Sequence, residues 1–120
     1  MQTLYDQKRM SPADAVGMIS NGNTVVVPTG VGEPPALLQA LSDRRHTLRD
    51  VAVSQILPLR KFAYLDPETH ANIRHDAYFF GGATRAGGQS GWVDFVPAYF
   101  SELPMLIDRG LTPADVVMTM

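Results

Sequence analysis

The sequence contains no cysteine, which excludes disulfide staples, thiolate nucleophiles and cysteine-bound zinc together. No apolar run comes near the roughly 18 residues of a spanning helix. The first ten residues, Met1 to Met10, are polar and mixed in charge, unlike the apolar stretch of a secretion signal. A cytoplasmic protein with no membrane partner is the expectation. A basic excess is missing as well: 10 Lys and Arg stand against 12 Asp and Glu, a formal net charge of -2, so no nucleic-acid partner is expected. The densest basic cluster, Arg44, Arg45, His46 and Arg49, reads as a solvated helix end whose cations suit the helix dipole. What remains is 120 residues, 45% hydrophobic and 18% charged, enough for one globular core.

The order of local signals is that of an α/β chain. Ser11 is a helix N-cap followed by Pro12, with Asp14 in the first turn, and a short amphipathic helix is predicted to Ser20. Asn21-Gly22 stops it. Thr24 to Val27 is then a β-branched run of the kind buried on both faces of a parallel sheet. Thr29 to Glu33 forms a glycine turn, and Pro34-Pro35 open a second helix carrying Leu37, Leu38 and Leu41. A second strand over Val51 to Ile56 completes a right-handed β-α-β unit. Leu57 to Asn72 reads as a long loop with a short helix near Pro67 to Ala71, and Arg74 to Phe80 as a third strand. Thr84 to Ser90 is glycine-rich, at best a turn or a poor helix. Val93 to Val96 and Tyr99 to Phe100 read as extended pieces, and Ser101 to Arg109 as a helix interrupted by Pro104. The chain stops inside an apolar β run, Ala114 to Met120, which suggests a truncated piece of a larger domain. The predicted fold class is therefore α/β, with an open, mainly parallel sheet and flanking helices.

Two glycine clusters follow predicted strands. Gly30, Val31 and Gly32 lie between the first strand and its helix, where bare backbone lets a ligand approach. The cluster fits neither the dinucleotide fingerprint, since Pro35 stands where a third glycine belongs, nor a P-loop. Gly81, Gly82, Thr84 and Arg85 form the second cluster, after the third strand. Open α/β sheets place ligands at the carboxyl ends of their strands, so both clusters face the expected site. Arg85 is a candidate carboxylate or phosphate partner. Glu33, Glu68, Glu102, His46, His70 and His75 form no convincing acid-base set. His70 and His75 lack metal-helix spacing and read as polar or strand-edge histidines, so no metal is expected. Ser54, Ser90 and Ser101 lie in no Gly-x-Ser-x-Gly elbow.

Five stretches in order, Gly30 to Pro34, Gln55 to Pro58, Tyr64 to Pro67, Phe80 to Arg85 and Phe100 to Pro104, carry a family resemblance. Through them the chain resembles the N-terminal domain of the acetyl-CoA hydrolase/transferase family, nearest to its 4-hydroxybutyrate and butyryl CoA-transferase branch, from Ser11 to Met120. The resemblance implies that residues 1–120 are the N-terminal part of that domain, and that a C-terminal catalytic domain lies outside them. It implies a homo-oligomeric enzyme that moves CoA between an acyl-CoA and a short-chain carboxylate, or hydrolyses the thioester. A glutamate of the second domain would act as nucleophile through a glutamyl-CoA thioester, with coenzyme A as substrate and no tightly bound cofactor. No residue of this chain is then catalytic. Gly30, Val31, Gly32, Gln55, Leu57, Pro58, Gly81, Gly82, Thr84 and Arg85 are the expected substrate-binding residues, on the acyl side of the cleft. Read without the resemblance, a strand-glycine-helix unit also suits a non-catalytic small-ligand or nucleotide-binding module.

Overall fold

A computed structural model describes residues 2–120. Its centre is a five-stranded sheet built from β1 (Thr24–Val27), β2 (Val51–Gln55), β3 (Ile73–Ala77), β4 (Asp94–Phe95) and β5 (Val116–Val117). Every pairing is parallel, in the order β4-β3-β2-β1-β5. Each of the first four strands lies beside its predecessor, and β5 returns to the far side of β1. The strand order therefore reverses at β1, the point where open α/β sheets form ligand crevices beyond their carboxyl ends.

Burial explains the β-branched composition. All five residues of β2 are buried, because it lies in the middle of the sheet with cover on both faces. Helix α3 (Pro35–Arg44) lays Leu38 and Leu41 into the core formed with Val25, Val27, Val51 and Val53. Completely burying side chains of this size contributes about 1.5–3 kcal/mol each. Helix α2 (Pro12–Gly17) is capped as predicted, the Ser11 hydroxyl accepting from the Asp14 N–H at 3.1 Å.

Several expectations change. Helix α1 (Gln2–Lys8) forms where only a polar segment was read, and it buries no side chain. Helix α2 ends at Gly17 rather than Ser20, β2 at Gln55, and β3 at Ala77 rather than Phe80. The long loop holds two short 3₁₀ turns, Ala63–Leu65 and Pro67–Thr69. Phe100 belongs to a 3₁₀ turn, Phe100–Glu102, instead of an extended piece. The helix after it, α5 (Leu103–Asp108), takes Pro104 into its first turn, where proline costs no hydrogen bond. The glycine-rich segment does form a helix, α4 (Arg85–Ser90). Its glycines admit aromatic neighbours: a Cβ on Gly88 would stand 2.4 Å from the Phe80 ring, and one on Gly87 2.7 Å from that of Trp92.

Two readings of charged residues are also corrected. Arg44 is not merely solvated, since Nη1 donates to the carbonyls of Val16 (2.6 Å) and Ile19 (3.0 Å) and ties α3 to the end of α2. His75 is no strand-edge residue: it is buried in β3, which has neighbours on both sides.

Candidate functional site

Three loops meet at the carboxyl ends of β1, β2 and β3, and Leu57 joins them. Its carbonyl accepts from the Gly30 N–H (3.3 Å) and from the Thr29 hydroxyl (3.3 Å). Its side chain lies against Gly81, where an added Cβ would come within 2.4 Å of Leu57 Cδ1. Gly30 has φ +60°, a conformation that glycine adopts without the penalty of a Cβ. Gly32 needs space instead, because a Cβ there would stand 3.0 Å from Pro28 Cβ. The three segments singled out in the sequence thus share one end of the sheet.

Two crevices open there, joined by a third. A cavity of about 450 Å³ lies beyond β1 and β2 and is roofed by Phe100, Leu103 and Ile107, with Ser54, Gln55 and Tyr78 among its polar residues. A second, of about 530 Å³, is lined by Leu57, Pro58, Leu59, Lys61, Gly81 and Gly82. The space between them is lined by Thr29, Leu57, Phe79 and Phe100. The lining is mostly apolar, which suits a hydrocarbon group better than a phosphate.

Of the ten residues expected to face substrate, Gln55 lines the first cavity, and Leu57, Pro58, Gly81 and Gly82 line the second. Gly30, Val31 and Gly32 form the adjoining turn, with the Val31 side chain fully in solvent. Thr84 is buried, its hydroxyl accepting from the Gly81 N–H at 3.2 Å, so it shapes the second glycine turn from within. Arg85 is exposed and directs Nη2 to the Phe80 carbonyl at 3.3 Å, lining neither cavity.

Sequence reasoning missed the role of Glu33. It is 5% exposed, and Oε2 accepts from Gln55 Nε2 (3.1 Å) and from the Leu59 N–H (3.0 Å). Gln55 Nε2 also donates to the Pro28 carbonyl at 3.0 Å, leaving its buried Oε1 without a partner. The signal that could have found it is a glutamate directly before Pro34-Pro35, where the chain turns inward to start a buried helix. Beneath this site Tyr64 and His75 are buried together, Tyr64 Oη lying 3.4 Å from His75 Nδ1. Burial pushes the Tyr64 phenol far up, with a smaller push from the Glu33 charge, and burial pulls His75 down to about 4. Asp76 is raised by burial, against the pull of Arg74 and with the added repulsion of Asp94.

The model of the acetyl-CoA hydrolase/transferase N-terminal domain matches residues 1–119. Among curated relatives, succinyl-CoA:cyclohexane-1-carboxylate CoA transferase of Geobacter metallireducens is 37% identical over 96% of this chain and 26% of its own length. The 4-hydroxybutyrate coenzyme A transferase of Clostridium kluyveri is 31% identical over 98% of this chain and 27% of its own. The chain thus spans about a quarter of the length of these relatives. Among solved structures, RipA from Yersinia pestis superposes with a TM-score of 0.84 at 29% identity, over 98% of this chain and 30% of RipA. With the parallel sheet, the glycine turns and this match over nearly the whole length, the chain belongs to the acetyl-CoA hydrolase/transferase N-terminal domain family.

Proposed function

We propose that this chain forms the acyl-side wall of the active-site cleft of a CoA-transferase, in a protein whose nucleophilic glutamate lies outside these 120 residues. The observation that carries the reading is the apolar cavity pair at the carboxyl ends of β1 to β3, in a chain matched to this family from residue 1 to 119. The named relatives being CoA transferases supports transfer over hydrolysis.

In this reading the glutamate attacks the acyl thioester carbonyl, the C–S bond breaks, and CoA thiolate leaves a mixed acyl-glutamyl anhydride. The thiolate then attacks the glutamyl carbonyl, releasing the acyl group as a carboxylate and leaving a glutamyl-CoA thioester. An incoming short-chain carboxylate reverses the two steps and departs as the new acyl-CoA. Leu57, Pro58, Gly81 and Gly82 contain the hydrocarbon part of the acyl group and keep water from the thioester, whose attack would give hydrolysis instead. The turn at Gly30 to Gly32 and the polar Gln55 complete the wall; Thr84 holds the second turn, and the exposed Arg85 beside it would have to leave the Phe80 carbonyl to meet the acceptor carboxylate. The same reading carries a cytoplasmic homo-oligomer with coenzyme A as substrate and no tightly bound cofactor.

The test is an exchange assay on the full-length protein with acetyl-CoA and an isotopically labelled short-chain carboxylate. Labelled acyl-CoA should form with one acetate released per CoA moved. Free CoA appearing at the same rate with or without the carboxylate would mean a hydrolase, and no reaction with any acyl-CoA would remove the reading.

A further inference from the structure

We propose that Glu33 is a positioning residue that sets one wall of the acyl site by holding the backbone of Leu57 to Leu59; this rests on the CoA-transferase reading. Glu33 is buried, yet among the described residues no Lys or Arg forms an ion pair with it. Its charge is met by N–H donors alone, Gln55 Nε2 at 3.1 Å and the Leu59 N–H at 3.0 Å. A buried carboxylate is costly unless its hydrogen bonds are well made, and such charge-assisted bonds are the stronger kind. A neutral side chain would avoid that cost if the turn needed only a filler.

The placement of the bonds shows what the charge holds. At one end of the segment the Leu57 carbonyl is fixed by Gly30 and Thr29; at the other the Leu59 N–H is fixed by Glu33. Between these anchors Leu57, Pro58 and Leu59 line the cavity of about 530 Å³ together with Gly81 and Gly82. Gln55 orients the carboxylate while also bonding Pro28, so the end of β2 connects the β1 turn to this wall. Glu33 itself lines neither cavity. It acts through Leu59 and touches no reacting atom, so it differs in kind from a nucleophile.

The test uses Glu33→Gln in the full-length protein. Losing the charge should speed hydrogen exchange of the Leu59 amide about tenfold or more. The KM for the carboxylate acceptor should rise about tenfold while kcat stays within about twofold, the pattern of lost ground-state binding. A KM that rises less than about threefold, whatever happens to kcat or to thermal stability, would overturn the proposal, since a merely structural role leaves KM in place. Should Glu33→Gln not accumulate as folded protein, Glu33→Asp, which shortens the side chain and withdraws its oxygen from the Leu59 N–H, is judged by the same thresholds. In the unmodified protein the Leu59 amide must exchange at least about tenfold more slowly than that of Arg60, and equal rates would overturn the contact. If the unmodified protein moves no CoA, the CoA-transferase reading fails, while the exchange comparison still decides the contact.

Discussion

At the scale of single residues, the chain buries both Glu33 and His75, and their surroundings separate their roles. Glu33 accepts from the N–H groups of Gln55 and Leu59 next to the cleft. His75 sits deeper, against Tyr64, with Nε2 buried and unpartnered. Burial lowers the His75 pKa from the ordinary 6.5 to about 4. Below pH 6.5 the unfolded chain therefore binds a proton that the folded chain refuses, so stability is full above pH 6.5 and falls as the pH drops toward 4. The loss across that window is about 3 kcal/mol from the size of the shift. Urea unfolding from pH 7 to pH 4 should show it, and His75→Asn should flatten that part of the profile; an unchanged slope in the variant would reject the assignment. Neither burial was legible in the sequence. An isolated histidine in a strand of alternating polarity reads as an edge residue, and only the packing of the Ala63–Leu65 turn over β3 reveals that it is covered.

Among elements, what could be read early was what local chemistry dictates. The Ser11-Pro12 cap, the valine run of β1, the Pro34-Pro35 start of α3 and the β-α-β order all appear in the structure. Helix α4, short as its glycines suggest, is where propensity explains least. Alanine is favoured over glycine in a helix interior by about 1 kcal/mol, which argues against a helix through Gly87-Gly88. The packing reverses the sign, because Val93, Trp92 and Phe80 occupy the space a Cβ would need. Overpacking of this kind costs about 1–3 kcal/mol, more than propensity returns. Gly87→Ala should accordingly lower the urea midpoint. Gly17→Ala at the end of α2, where nothing lies within 4 Å of the added carbon, should leave it unchanged or raise it by the equivalent of a few tenths of a kcal/mol. Equal effects at the two sites would show that the aromatic contacts do not set the helix. The site was legible to a similar degree: the glycine clusters announced loops at strand ends, but Thr84 turned out to brace its turn from inside, which spacing alone cannot distinguish from a ligand contact.

For the whole molecule, the strand order does what no single motif does. The parallel alignment of β1, β2 and β3 gathers the loops that follow them at one end of the sheet, and Leu57 binds the first to the second while filling the space beside Gly81. The result is an end of the sheet lined mostly by apolar side chains, in a chain about a quarter the length of the CoA-transferase relatives it matches. In the function proposed above, the residues lining that end contact the acyl group. Gly81→Ala tests this contact, because the added carbon would lie 2.4 Å from Cδ1 of Leu57, a residue that lines the adjoining cavities and would have to shift. The measurement is kcat/KM of the full-length protein for acetyl-CoA and for hexanoyl-CoA, with and without the substitution. The hexanoyl value should fall at least about tenfold more than the acetyl value, since the lost volume matters only to the longer chain. Equal losses for the two substrates, or none for either, would contradict it.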